Sequence, residues 1–294
     1  MEDLKQYLKG RADEVDAALN AYLPTARTRP ATIHKAMRYS LFAGGKRLRP
    51  ILCLAAAEAC DGDTDAAMPS ACAVELMHTY SLVHDDLPCM DDDDLRRGRP
   101  TCHKVFGDGM AVLTGDALLT ESFIVLAQSS PTPRYPMSAF VAELGITGGS
   151  TKLIGGQVMD LEGEGKDLTK AQLIRIHEAK TAALLTTSIR LGAMSANATP
   201  KKLEALTTFG YSLGLAFQVI DDILDVTQTT EKLGKTAGKD EAVAKATYPA
   251  ILGLDKARKE AHRYTQKAMD ALKPFGKRAT HLRQIAEYLL DRDY

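Results

Sequence analysis

Polarity along this chain repeats with a helical period. Apolar residues recur at intervals of three and four through 2–20, 32–43, 66–87, 137–161, 169–195, 201–228 and 250–272, with Ala, Leu, Glu and Lys frequent among them. Alternation with a period of two is scarce, so the pattern predicts an all-α protein of about ten helices. The stretch Ile51-Leu52-Cys53-Leu54-Ala55-Ala56-Ala57 is apolar around much of its circumference, which places a helix inside a large core rather than on a surface. Breaks are expected at Pro24, Pro30, Gly44-Gly45, Cys60 to Asp63, Ser129 to Pro133, Ala198 to Pro200, and near Gly234 and Gly238. These gaps are short and none has low complexity, so one domain over 1–294 is expected. No repeat of solenoid period occurs.

Composition narrows the function. With 37 Lys+Arg against 38 Asp+Glu the formal charge is −1, and no basic stripe is present, which argues against nucleic acid as the main ligand. Five cysteines, Cys53, Cys60, Cys72, Cys89 and Cys102, form an odd set without a CxxC pair, so reduced thiols fit better than a disulfide framework or a four-cysteine zinc site. The amino terminus has no secretory pattern, and no apolar run approaches the roughly 18 residues of a membrane span. A cytoplasmic protein is expected.

Two acidic clusters carry the chemistry. In Phe217-Gln218-Val219-Ile220-Asp221-Asp222-Ile223-Leu224-Asp225, Asp221 and Asp225 stand four apart and share one helix face. Their apolar neighbours make these carboxylates costly unless protonated or ionised against a cation, and hard oxygen donors suit Mg²⁺ beside substrate phosphates. The other cluster, His84-Asp85-Asp86-Leu87-Pro88-Cys89-Met90-Asp91-Asp92-Asp93-Asp94, packs six aspartates into ten residues, an arrangement for solvent or for a cation. Asp85 and Asp91 would diverge by about 120° on an ideal helix. Pro88 offers a distortion that lets Asp91 swing round. Upstream, His78, Ser81 and Asp85 share a face and line one groove.

Cations are placed to match. Gly44-Gly45-Lys46-Arg47-Leu48-Arg49-Pro50 joins a glycine pair to three basic residues where a helix begins, a combination suited to phosphate oxygens. Arg96 and Arg97 follow the first acidic cluster, and Lys180 and Lys235 come from later segments. Each alone reads equally as a solvated surface charge. A nucleotide P-loop at Gly234-Lys235-Thr236 fails because Thr229 stands where glycine is needed, and GxGxxG, HExxH and GxSxG are absent.

Taken in order, GGKRLRP at 44–50, HTYSLVHDDLPCMDDDDLRRGRPTCH at 78–103, GDAL at 115–118, GGQVMD at 155–160, KT at 180–181, FQVIDDILD at 217–225 and LGKTAGKD at 233–240 resemble the trans-isoprenyl diphosphate synthases, bacterial-type farnesyl diphosphate synthases in particular. The resemblance implies a helical bundle around a deep central cavity, a homodimer, and magnesium ions, about three per site with Mn²⁺ as a substitute, bridging the two motifs to an allylic diphosphate. It implies Asp85, Asp91, Asp221 and Asp225 as metal ligands, with Asp86 and Asp222 acting beside them. Arg96, Lys180 and Lys235 would hold the allylic diphosphate; Gly45, Lys46, Arg49, His78 and Arg97 would hold isopentenyl diphosphate. Thr181, Gln218 and the Lys180 carbonyl would stabilise an allylic cation, with released pyrophosphate as the base.

Tyr80 and Ser81 are the implied chain-length floor. Tyr80 lies five residues before Asp85, about 7.5 Å deeper, where an aromatic ring is associated with a fifteen-carbon product. Core packing is the competing account of that ring. Geranylgeranyl or geranyl diphosphate synthesis on the same fold is the nearest rival activity; a non-catalytic regulatory subunit, which would be expected to lack one acidic motif, is the rival from another class. The carboxyl end either closes over the site through Arg292 or frays.

Overall fold

The computed structural model describes residues 2–227 and 247–290. Lys235, the 233–240 motif and Arg292 lie outside the described residues. In chain order the helices are α1 (Glu2–Tyr22), α2 (Ala31–Leu41), α3 (Leu48–Ala59), α4 (Thr64–Asp85), α5 (Cys102–Phe106), α6 (Asp108–Leu126), α7 (Met137–Gly148), α8 (Leu153–Gly163), α9 (Lys170–His177), α10 (Ala183–Ser195), α11 (Pro200–Thr227), α12 (Tyr248–Leu252), α13 (Leu254–Ala271) and α14 (Thr280–Leu290). A π turn (Glu178–Ala182) joins α9 to α10, and a 3₁₀ segment (Lys273–Ala279) precedes α14. The all-α expectation holds.

Three local features differ from the sequence pattern. The stretch 137–161 is two helices, broken between Gly148 and Leu153, and α6 was not among the predicted helices because its apolar residues are spread around the helix instead of gathered in a stripe. A two-residue antiparallel hairpin, β1 (Leu95–Arg96) with β2 (Arg99–Pro100), follows the first acidic cluster. Its turn residues Arg97 and Gly98 both have positive φ, the conformation that matches the twist of a two-residue hairpin.

Helix α3 occupies the middle, as its apolar circumference predicted. Ile51, Leu52, Ala55 and Ala56 enter one buried cluster with α11, α13 and α14, while Cys53, Leu54 and Ala57 enter a second cluster with α4, α6 and α7. Helix α10 straddles the same two clusters through Ile189 and Leu191. This double packing leaves α4, α8 and the π turn free to frame a cavity between them. Among the described residues two helices, α6 and α11, are long and apolar enough to cross a membrane by length and composition, which the expectation from uninterrupted apolar runs did not include; α6 carries Asp116 and Glu121 within it, and α11 lies mostly inside the core.

Candidate active site

The cavity encloses about 520 Å³ and is lined by Arg49, His78, Tyr80, Ser81 and Asp85 on one side and by Gln157, Lys180 and Thr181 on the other, with apolar side chains such as Leu153 and Leu184 between. His78, Ser81 and Asp85 share the groove that their spacing predicted.

Helix α4 ends at Asp85 rather than bending. The Asp91 amide then donates to the Asp85 carbonyl oxygen at 2.9 Å, and the Met90 and Asp92 amides donate to the Leu87 carbonyl, so the Pro88 turn returns Asp91 to the mouth beside Asp85. Burial pushes the Asp85 carboxyl up to about 6, with Lys180 opposing and Asp91 reinforcing that shift. Asp86 faces the other way. It is 3 % exposed, and its carboxylate accepts from Arg96 Nε at 2.7 and 2.9 Å and pairs with Nη2 at 2.5 Å. Arg96 is therefore committed to Asp86 in this structure, with Asp93 at 3.7 Å. Among the described residues, the group whose potential ligand atoms lie within 4.8 Å of one another is Asp92, Asp94 and His103, a cluster the sequence reading did not single out. The aspartates assigned to metal do not close to that spacing, as expected of carboxylates that repel one another.

A second region is rich in positive charge. Arg47, left-handed at φ 47°, is buried and spent on structure: it donates to Asp16, Glu75 and the Leu41 carbonyl at 2.7 to 2.9 Å. Of its neighbours, Lys46 is exposed and Arg49 lines the cavity. Burial lowers Arg49 to about 10, with Glu75 opposing and Arg97 adding, and its buried Nε finds no hydrogen-bond partner. His78 is held well below its usual range by burial and by Arg49, Arg97, Arg96 and Arg47, so it stays neutral. Gly45 has φ +136°, and a side chain there would collide with the Arg97 guanidinium, which accounts for glycine at that position. Lys46 is exposed and sits 5.8 Å over the Tyr288 ring of α14. With Glu75 already bound to Arg47, Lys46, Arg49 and Arg97 form a seat for an anion.

The opposite side is built on the π turn, where helices often carry functional groups. Lys180 donates to Asp160 of α8 at 2.7 Å, and Thr181 donates to the Gln218 oxygen at 3.0 Å. Gly156 has no Cβ where one would strike the Lys180 backbone, so α8 packs directly on this turn. Gln218 then reaches Asp222 at 3.3 Å, linking the turn to the second acidic motif. Asp221 is partly exposed and Asp225 is buried. Asp222, placed with the catalytic residues from its motif, is 4 % exposed and accepts from the Tyr248 amide at 2.9 Å, so it secures the start of α12.

Sequence reasoning missed four residues here. Asp160 orients Lys180, Glu75 holds Arg47, Tyr288 covers Lys46, and Gln157 places a buried amide without hydrogen-bond partners on the cavity wall. Only Gln157 and Asp160 left a trace in the sequence, inside GGQVMD.

This arrangement, a carboxylate pair, an anion seat and an apolar cavity in a helical bundle, defines a prenyl diphosphate synthase by class. The chain belongs to the polyprenyl synthetase family, whose model matches residues 30–289. It is 48% identical over 298 residues to the heterodimeric geranylgeranyl pyrophosphate synthase large subunit 1 of Arabidopsis thaliana, covering 99% of this chain and 80% of that one. Among solved structures it resembles an FPP/GFPP synthase from Zymomonas mobilis (TM-score 0.85, 34% identity, 98% and 99% of the two chains) and the geranylgeranyl pyrophosphate synthetase of Pyrococcus horikoshii (TM-score 0.91, 30% identity, 99% of each). The protein is a trans-prenyltransferase with the isoprenoid synthase fold.

Proposed function

We propose that this prenyltransferase condenses isopentenyl diphosphate with dimethylallyl and then geranyl diphosphate, head to tail, and stops at farnesyl diphosphate. The observation that carries the product length is Tyr80, 5 % exposed and lining the cavity below Asp85, where its ring would meet the end of a growing chain. Lys46, Arg49, His78 and Arg97 would seat the isopentenyl diphosphate, and Lys180 and Arg96, on exchanging their bonds to Asp160 and Asp86 for phosphate, would hold the allylic one with Lys235.

The acidic residues fit magnesium. Their donors are hard carboxylate oxygens, and the raised Asp85 carboxyl is a group whose ionisation a divalent cation would favour. Asp85, Asp91, Asp221 and Asp225 would hold the ions. When bound, magnesium absorbs the charge that develops on the departing diphosphate. Thr181 orients the Gln218 amide beside the place where the allylic cation forms, and the π turn leaves a backbone carbonyl without its usual helical partner there. The isopentenyl double bond attacks that cation, and the released pyrophosphate takes the proton. Gln157 adds an unpartnered amide dipole to the same wall.

The second reading is geranylgeranyl diphosphate synthesis, favoured by the names of the relatives above. Isopentenyl diphosphate labelled and supplied with dimethylallyl diphosphate, with and without Mg²⁺, separates the two after the diphosphate is removed: farnesol supports the Tyr80 floor, and geranylgeraniol overturns it while leaving the chemistry in place. No product at all would favour a non-catalytic subunit. We also infer a homodimer, supported by apolar residues exposed on α6 and α7, Leu113, Ile124, Val141 and Ile146 among them; a monomeric mass by light scattering would overturn it.

A further inference from the structure

Tyr80 does not stand alone in the cavity wall. Its ring meets the His84 ring edge to face, 5.9 Å between centroids with the planes at 84°, one helical turn nearer the mouth. His84 in turn leaves α4 for α6. Its Nε2–H donates to the Val112 carbonyl oxygen at 2.9 Å, and Val112 itself lines the cavity. The imidazole fits there because residue 115 is glycine: a Cβ on Gly115 would overlap the ring atoms Nε2 and Cδ2. Three residues on two helices therefore interlock, and the phenol ring has a neighbour that cannot turn away while α6 keeps its place.

We propose that His84 and Gly115 are specificity-determining residues that act through Tyr80, an inference that rests on the Tyr80 reading above. An aromatic ring blocks a growing prenyl chain only while its rotamer is held. Each added five-carbon unit brings apolar surface that gains free energy on burial, so the chain pushes on the ring with a real driving force. Edge-to-face packing on His84 and the hydrogen bond to Val112 resist that push. Neither residue is needed to seat a diphosphate, so loosening them changes where elongation stops.

The test is the ratio of twenty-carbon to fifteen-carbon alcohols released from products of the full-length protein, compared at equal substrate conversion. Tyr80→Ala, Gly115→Ala, His84→Ala and His84→Phe are measured with the double variant Tyr80→Ala/Gly115→Ala. Alanine is a better helix former than glycine, so Gly115→Ala displaces the imidazole without weakening α6 intrinsically. Expected are a rise of about tenfold in the ratio for Gly115→Ala and His84→Ala, a return toward the wild-type ratio in His84→Phe, which keeps a ring against Tyr80, and no further rise when Gly115→Ala is added to Tyr80→Ala. If Tyr80→Ala lengthens the product while Gly115→Ala and His84→Ala keep the wild-type ratio, the interlock is wrong and the floor stands. An unchanged ratio in Tyr80→Ala overturns the floor itself.

Discussion

The two acidic motifs share a composition and differ in how they are held. Asp85 closes a helix and Asp91 sits six residues on in an exposed turn, tied back by one backbone hydrogen bond. Asp221, Asp222 and Asp225 ride on an unbroken helix packed into the core, with Asp222 fastened to the Tyr248 amide and to Gln218. One motif is an exposed turn tied by a few backbone bonds; the other is a fixed platform. In each, one aspartate of the DD pair is bound to a structural partner: Asp86 to Arg96, Asp222 to the Tyr248 amide. Adjacent residues on a helix end or helix body point about 100° apart, so the two carboxylates of a DD pair meet different surroundings.

The comparison breaks most visibly in turnover. Asp85→Asn and Asp221→Asn, each removing a negative charge from an otherwise intact site, are expected to lower kcat about 10³-fold at saturating substrate, a loss of about 4 kcal/mol of transition-state stabilisation. Near wild-type turnover in either variant would remove that motif from the metal site.

Stability separates the supporting pair. Asp222→Ala strands the buried Tyr248 amide and is expected to cost about 2 to 3 kcal/mol, several degrees in Tm by calorimetry. An unchanged Tm would mean that the second motif is no platform. Asp85 runs the opposite way. Its carboxyl stands near 6 when folded, above the ordinary carboxylate range, so the folded state holds the proton more tightly than the unfolded chain. The charged carboxylate therefore costs stability in full above about pH 6; the cost shrinks as pH falls through the range between the two values and is gone only below the unfolded one, near 3.8, where both states are protonated. Asp85→Asn is expected to stabilise the metal-free protein by about 1 to 2 kcal/mol at pH 7.5, after allowance for partial exposure, and by little at pH 4. A variant equally stabilised at both values would contradict burial as the cause. Smallest is Asp86→Ala: Arg96 is 30% exposed and can turn to solvent or to Asp93, so a loss of about 1 kcal/mol is expected by urea titration.

Much of this was legible before the fold. The helical period placed most elements, the apolar run at 51–57 located the central helix, and Pro88 announced the return of Asp91. Helix α6 escaped because burial against α4 on one face and apolar exposure on another left no stripe to read. Glu75, Asp160 and Tyr288 escaped for a different reason. Each acts on a partner 20 or more residues away, Arg47, Lys180 and Lys46 respectively, and periodicity carries no information about such pairs.

By itself the sequence determined the helical class, the cavity-facing spacing of His78, Ser81 and Asp85, and the company of acidic and basic motifs that marks a prenyltransferase. The first two follow from local geometry, a fixed rise and turn per residue, and the third from the resemblance of the ordered motifs. Only the tertiary structure decided which of the charges remain available. Arg47 and Arg49 stand two residues apart in one motif, yet Arg47 is consumed by Asp16 and Glu75 while Arg49 faces the cavity with an unmet donor. A charge in water is a property of the residue; in a fold it depends on the partners that chain crossings bring within hydrogen-bonding distance.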